Sequence, residues 1–142
     1  MKLVCHLLDT KGRDIVSIAP DASVLDAIRL MSDKGIGALV VMDGESLAGI
    51  VTERDYARKV ILKGRASDAT RVHEIMTTEV ITTSSGESVE KCMNTVTDRR
   101  IRHLPVVDDG KVCGIISIGD LVKAIISDQQ QAIEQLEHYI SG

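Results

Sequence analysis

The chain has 142 residues, 44% hydrophobic and 27% charged, with a formal net charge of −4 and a pI near 5.5. That length suits one compact domain or two small repeats sharing a core, large enough to bury about two-thirds of the unfolded surface without disulfide staples. The acidic balance argues against a general nucleic-acid binder, and with Tyr56 and Tyr139 as its sole aromatics the chain has nothing from which to build base-stacking platforms.

The opening MKLVCHLLDTKG has too short an apolar stretch, followed by charge, to be a signal peptide. DIVSIAP then reads as an extended segment leading to Ser23, an N-cap, and to a helix with Val24, Ile28 and Met31 at helical spacing. Two nearly continuous apolar runs, ALVVM and LAGIVT, follow as a hairpin across the turn DGES, and a closing helix carries Tyr56, Val60 and Ile61. The polar stretch LKGRASDATRVHEIMTTE is a connector with a short helical turn around Val72 to Met76. The order then returns: EVITTSS, an N-cap at Ser88, a helix with Val89, Met93 and Val96, a hairpin of LPVVD and VCGIIS across DDGK, and a closing helix with Leu121, Ile125 and Ile126. SDQQQAIEQLEHYISG keeps Ile133, Leu136 and Ile140 at helical spacing, as an extension of the last helix packed on the module or on a partner subunit.

The two halves match at one offset. GIVTERD at 49–55 returns as GIISIGD at 114–120, and the separation of 65 residues also pairs Ser23 with Ser88, Asp33 with Asp98, Ile36 with Ile101, Leu39 with Leu104 and Asp43 with Asp108. The fold class is α+β: two β-α-β-β-α repeats. The expected boundaries are residues 1–65 for the first repeat with its lead-in, 66–78 for the linker, 79–128 for the second repeat and 129–142 for the helical extension.

The repeated phrase has two readings. Thr52 or Ser117 as N-cap with an acid three residues later resembles a capping box, which holds the helix start and nothing more. Ser23 with Asp26 is read as such a cap. The ligand reading uses the same geometry: a helix N-terminus suits phosphate, the hydroxyl adds a donor, and Asp55 or Asp120 one turn in can accept hydrogen bonds from the vicinal diol of a ribose. Ile50 and Ile115 would offer an apolar face to a purine. Capping alone would not demand the glycine and isoleucine that recur before each hydroxyl.

GIVTERD and GIISIGD, each preceded by an apolar strand and a turn (GALVVMDGESLAG; RHLPVVDDGKVCG), together with HEIMTTEVITTS, resemble the signature of tandem cystathionine-β-synthase (CBS) domains, the Bateman module, over about residues 10 to 128. The resemblance implies two repeats about a pseudo-two-fold axis with clefts that take adenosine-containing ligands, a homodimer, and a regulatory rather than chemical role. Carried over by position, it implies that Asp120 and Ser117 hold one ribose, with Ile115 and Ile36-Gly37-Ala38 around the adenine and Arg102 and His103 at the phosphates. Asp55 and Thr52 serve the other cleft, with Ile50 and the backbone of Ile101 to His103 around the base. Gly37 and Ala38 stand where the second repeat has Arg102 and His103, so Arg54, whose counterpart is Gly119, is the candidate phosphate partner there and the two clefts should differ. NAD(H) or AMP is the expected ligand ahead of ATP.

Other residues carry less. Arg99 and Arg100 read as solvated. Cys92 and Cys113 read as core thiols, Cys5, Cys92 and Cys113 form no CxxC, and His6, His73 and His138 have no ligand-like spacing, so no metal site is expected. A reducing cytoplasm is the expected home, with no membrane span and no nucleic-acid partner. The absence of a nucleophile elbow, an HExxH and a P-loop argues against catalysis. The regulated protein is not named by the sequence, and the rival reading is a ligand-free dimerisation or interaction module.

Overall fold

The computed structural model describes residues 2–141. They form two compact units, one of Ile15–Ile81 and the other of the residues up to Asp14 together with those from Thr82 on. In chain order the elements are α1 (Val4–Lys11), β1 (Ser17–Ile18), α2 (Val24–Lys34), β2 (Ala38–Asp43), β3 (Ser46–Thr52) and α3 (Glu53–Tyr56). A π-helical turn (Ala57–Ile61) and a 3-10 turn (Val72–Glu74) follow, then α4 (Val89–Arg99), β4 (His103–Asp108), β5 (Lys111–Ser117) and α5 (Ile118–Ser141). No helix among the described residues is long and apolar enough to cross a membrane.

The repeat is visible bond by bond. Ser23 Oγ accepts from the Asp26 amide and Ser88 Oγ from the Lys91 amide, so both serines cap their helices as their sequence position predicts. β2 pairs with β3, and β4 with β5, antiparallel, with the same slip in register at Val41/Met42 and Val106/Val107. β1 lies parallel to β2 with Ile18 opposite Val41. In the second repeat the matching contact shrinks to one parallel bridge, Thr83 opposite Val106, although EVITTSS reads as a strand. Asp109 and Gly110, both at positive φ, make the tight turn that joins β4 to β5.

Two expectations change. Residues 4–11, without an element in the sequence reading, form α1, and Val4, Leu7 and Leu8 bury in the unit of the second repeat. The first closing helix is four residues long and widens into the π-helical turn, burying Val60 and leaving Ile61 56% exposed. From Gln129 onward every described residue of α5 is exposed, so this extension does not pack on its own module.

The core of the Ile15–Ile81 unit joins Val24, Ala27 and Met31 of α2 to Leu39, Val41 and Val51 of the hairpin, with Val60, Val72 and Ile75 closing it. Val72 and Ile75 come from the connector. Each repeat is thus closed by the chain that precedes the other repeat, and a glycine marks each junction. A β-carbon on Gly49 would sit 2.7 Å from the Thr77 carbonyl oxygen and 2.8 Å from Met76 Sδ, and one on Gly114 would sit 2.7 Å from Leu8 Cδ2.

Both alanine substitutions should destabilise, and unequally. Leu8 can turn its side chain, whereas the Thr77 carbonyl is fixed by a reciprocal pair of bonds with Ile50, at 3.0 and 2.9 Å. Gly114→Ala is expected to cost about 1 kcal/mol and Gly49→Ala about 2 to 3 kcal/mol in urea unfolding. Because Leu8 and Gly114 touch, the Leu8→Ala/Gly114→Ala pair should cost less than the sum of its single changes.

Candidate functional site

In each unit the end of the second hairpin strand turns directly into a helix, and this junction holds the repeated phrase. In the Ile15–Ile81 unit, Val40 lies opposite Ile50 and Ala38 opposite Thr52. The Asp55 amide donates to Thr52 Oγ1 at 3.1 Å, while Asp55 Oδ2 accepts from the Thr52 amide at 3.0 Å and from its hydroxyl at 3.1 Å. The Glu53 amide donates to the Gly37 carbonyl at 3.1 Å, tying the helix start to the beginning of β2. Asp55 Oδ1 faces Lys59 Nζ at 3.1 Å, and that ammonium also donates to the Ile75 carbonyl at 2.8 Å. Arg54 is exposed. Ile36 and Gly37 line a pocket of about 320 Å³ with Ile28, Met31, Ser32, Gly35 and Glu53.

The other unit repeats this construction. Pro105 lies opposite Ile115 and His103 opposite Ser117. Asp120 Oδ2 accepts from the Ser117 amide at 2.8 Å, the Asp120 amide donates to Ser117 Oγ at 3.2 Å, and the Ile118 amide donates to the Arg102 carbonyl at 2.8 Å. The counter-ion differs in origin. At the place matching Lys59 stands the buried Ala124, and the ammonium on Asp120 belongs to Lys11, in the last turn of α1. Lys11 Nζ lies 2.6 Å from Asp120 Oδ2 and donates to the Ile115 carbonyl at 2.8 Å.

All the bonds to the Asp120 carboxylate therefore converge on Oδ2, and among the described residues Oδ1 has no partner. In Asp55 both oxygens are engaged. Burial alone would push the Asp120 carboxyl up, but the Lys11 ammonium and the Ser117 amide outweigh it and hold the acid below its usual range. His103 is pushed down, first by burial, then by the charges of Lys11 and Arg102, against the opposing pull of Asp120. It is a neutral imidazole at neutral pH, so the positive charge on this face comes from Lys11 and the exposed Arg102.

The structure thus groups the sequence-predicted residues by unit. Ile36, Gly37, Ala38, Ile50, Thr52, Arg54 and Asp55 belong to one, and Ile101, Arg102, His103, Ile115, Ser117 and Asp120 to the other. Both acids fold as capping boxes, so the cap and ligand readings share the same atoms. Sequence reasoning missed both lysines. Lys59, four residues after Asp55 on one helix, was findable from spacing; Lys11, 109 residues from Asp120, carried no such signal. Cys92 is buried in α4 and Cys113 half-buried in β5, its thiol near the Val106 carbonyl and Asp108. Among the described residues no three His, Cys, Asp or Glu side chains converge on a metal-sized site.

The family model for the CBS domain matches residues 10–62 and 72–127, the two repeats just described. The chain belongs to the CBS-domain family. Among solved structures, a CBS-domain protein from Burkholderia ambifaria is 53% identical, with a TM-score of 0.87 over 90% of this chain and 96% of that one. The CBS domain pair of protein MJ0100, solved with 5′-methylthioadenosine and S-adenosyl-L-methionine, is 26% identical with a TM-score of 0.81 over 90% of this chain and 98% of that one. The CBS domain-containing protein CBSX3, mitochondrial, of Arabidopsis thaliana is 43% identical over 86% of this chain, which spans 62% of that relative's length.

For this CBS pair, His103 predicts a measurable pH dependence. Its folded pKa lies below the ordinary 6.5, so as pH falls below 6.5 the unfolded chain takes up a proton that the folded protein does not. Stability is full above that value and declines on acidification toward the folded pKa. Urea unfolding of wild type and His103→Gln at pH 7.5, 6.5 and 5.5 should show a smaller loss of stability in the variant. Equal losses would place the acid sensitivity elsewhere.

Proposed function

We propose that this CBS pair is a regulatory module that binds adenosine nucleotides, NAD(H) or AMP ahead of ATP, and signals by a change in shape. The observation that carries the reading is the Asp120 site: a carboxylate with one free oxygen at the start of α5, beside Ser117 and Ile115, with Lys11, Arg102 and His103 in the same unit. A diol can bind the carboxylate, an apolar ring can lie on Ile115, the Lys11 and Arg102 cations can meet phosphate, and the neutral His103 can donate a hydrogen bond to it. The nucleoside ligands of the MJ0100 pair support the same class of ligand here. Thr52 and Asp55 are the second ribose site, with Arg54 as its phosphate contact. Because Lys59 and Thr52 occupy both oxygens of Asp55, the Asp120 site should fill first. The module does no chemistry of its own, works in the cytoplasm and passes its signal to a regulated protein.

Its own partner is a second copy. Ile133 and Leu136 are 55% and 59% exposed, and Tyr139 and Ile140 still more, on a stretch of α5 whose described residues are all exposed. Half a helix in that state gains its stability from packing, not propensity. Sedimentation of the wild type should give a dimer, and Ile133→Glu/Leu136→Glu a monomer whose unfolding midpoint is lower and no longer depends on protein concentration.

A second reading, a ligand-free interaction module, is favoured by the complete capping boxes. The two part company in a thermal-shift titration with AMP, ADP, ATP, NAD, NADH and S-adenosylmethionine, run beside Asp55→Ala and Asp120→Ala. A cap alone costs about 1 kcal/mol and leaves binding untouched. A ribose acceptor removed abolishes a ligand-induced gain of about 2.7 kcal/mol at a hundredfold excess over Kd. No shift with any compound would leave the interaction module standing.

A further inference from the structure

Lys11 is the one charged contact of the Asp120 site that the repeat does not supply. In the first repeat the matching acid draws its lysine from its own helix, one turn on, and that lysine is pinned to the Ile75 carbonyl. In the second repeat Ala124 is buried at that place and the ammonium arrives from α1, an element outside the repeat. An ordinary surface ion pair would be the bland account, and the pair is partly exposed, 37% for Lys11 and 23% for Asp120. Such pairs contribute little to stability, so nothing in the fold depends on keeping this one closed. Its position still matters, because Oδ2 and the Ile115 carbonyl, which hold the ammonium, belong to the residues that would meet a ribose and a base.

Resting on the nucleotide reading above, we infer that Lys11 sets the site's preference for phosphorylated ligands by exchanging one counter-ion for another. With the site empty, its ammonium neutralises Asp120. A ribose diol that donates one hydroxyl to the free Oδ1 and the other to Oδ2 displaces it, and the four-carbon stem lets it swing to an anionic group on the same ligand. A nucleoside 5′-phosphate offers that anion within the ligand. A neutral nucleoside does not, and leaves the Lys11 charge without a counter-ion on a face that already carries Arg102. Lys11 is therefore a barrier to neutral nucleosides and a contact for nucleotides.

The test is the ratio of the AMP and adenosine dissociation constants, measured by calorimetry on wild type, Lys11→Met and Lys11→Arg. Lys11 is exposed, so the variants keep the fold, and the urea midpoint checks this. Wild type should bind AMP on the order of tenfold more tightly than adenosine through this charge. In Lys11→Met, AMP should weaken and adenosine should hold or tighten, collapsing the ratio, while Lys11→Arg should retain it. An unchanged ratio in Lys11→Met, with binding intact, overturns the role of Lys11 and leaves the nucleotide reading in place. Failure of wild type to bind either compound overturns the role of Lys11, and the nucleotide reading falls with it only if NAD(H) and ATP also fail to bind.

Discussion

The arrangement depends on two places where a strand has no side chain. At Gly114 the backbone of β5 comes so near Leu8 that a single methyl group would collide with it. That approach seats α1 against the second repeat, and the last turn of α1 carries Lys11 to Asp120. At Gly49 the same close packing seats the connector against β3, and two bonds between Ile50 and Thr77 fix its path. The Ile75 carbonyl is thereby held where Lys59 can reach it while facing Asp55. In both units, then, a glycine admits the foreign segment and that segment supplies one half of the lysine arrangement around the acid.

The energies at the junction are small, which suits the proposed role in ligand sensing. A reciprocal cap is worth about 1 kcal/mol and a half-exposed ion pair no more. The core of each unit, built from continuous buried runs such as Ala38 to Val41, does not rely on either. A carboxylate serving as cap and counter-ion can therefore change partners without unfolding what lies beneath it. A ligand shifts the protein only by the difference in its affinity for two states, and a contact that can open cheaply is where such a difference can arise.

Most of the fold could be read from the sequence because its signals are local. The caps at Ser23 and Ser88, the hairpins and the offset of 65 residues all rest on contacts within a few positions or on the repeat itself. α1 escaped because its apolar residues, Val4, Leu7 and Leu8, cover too little of the chain for a period to stand out beside the charges that follow. The π-helical turn escaped because Tyr56, Val60 and Ile61 fit an ordinary helix equally well, and only packing leaves Ile61 outside. At the site, the hydroxyls and acids were legible from spacing, but their counter-ions depend on which segment closes which repeat. That is a long-range choice, and no local pattern encodes it.

The difference between the repeats follows from the same choice. The repeat offset places Ala124 where Lys59 stands and Met76 where Lys11 stands. The two repeats thus exchange positions for their lysine: one keeps it on the closing helix and fills the lead-in with a thioether that packs near Gly49, the other fills the helix with alanine and puts the lysine on the lead-in. Each solution neutralises one carboxylate. Only the second lets the cation move with an element other than the helix that bears the acid, so the asymmetry read from Arg54 and Arg102 extends to the acids themselves.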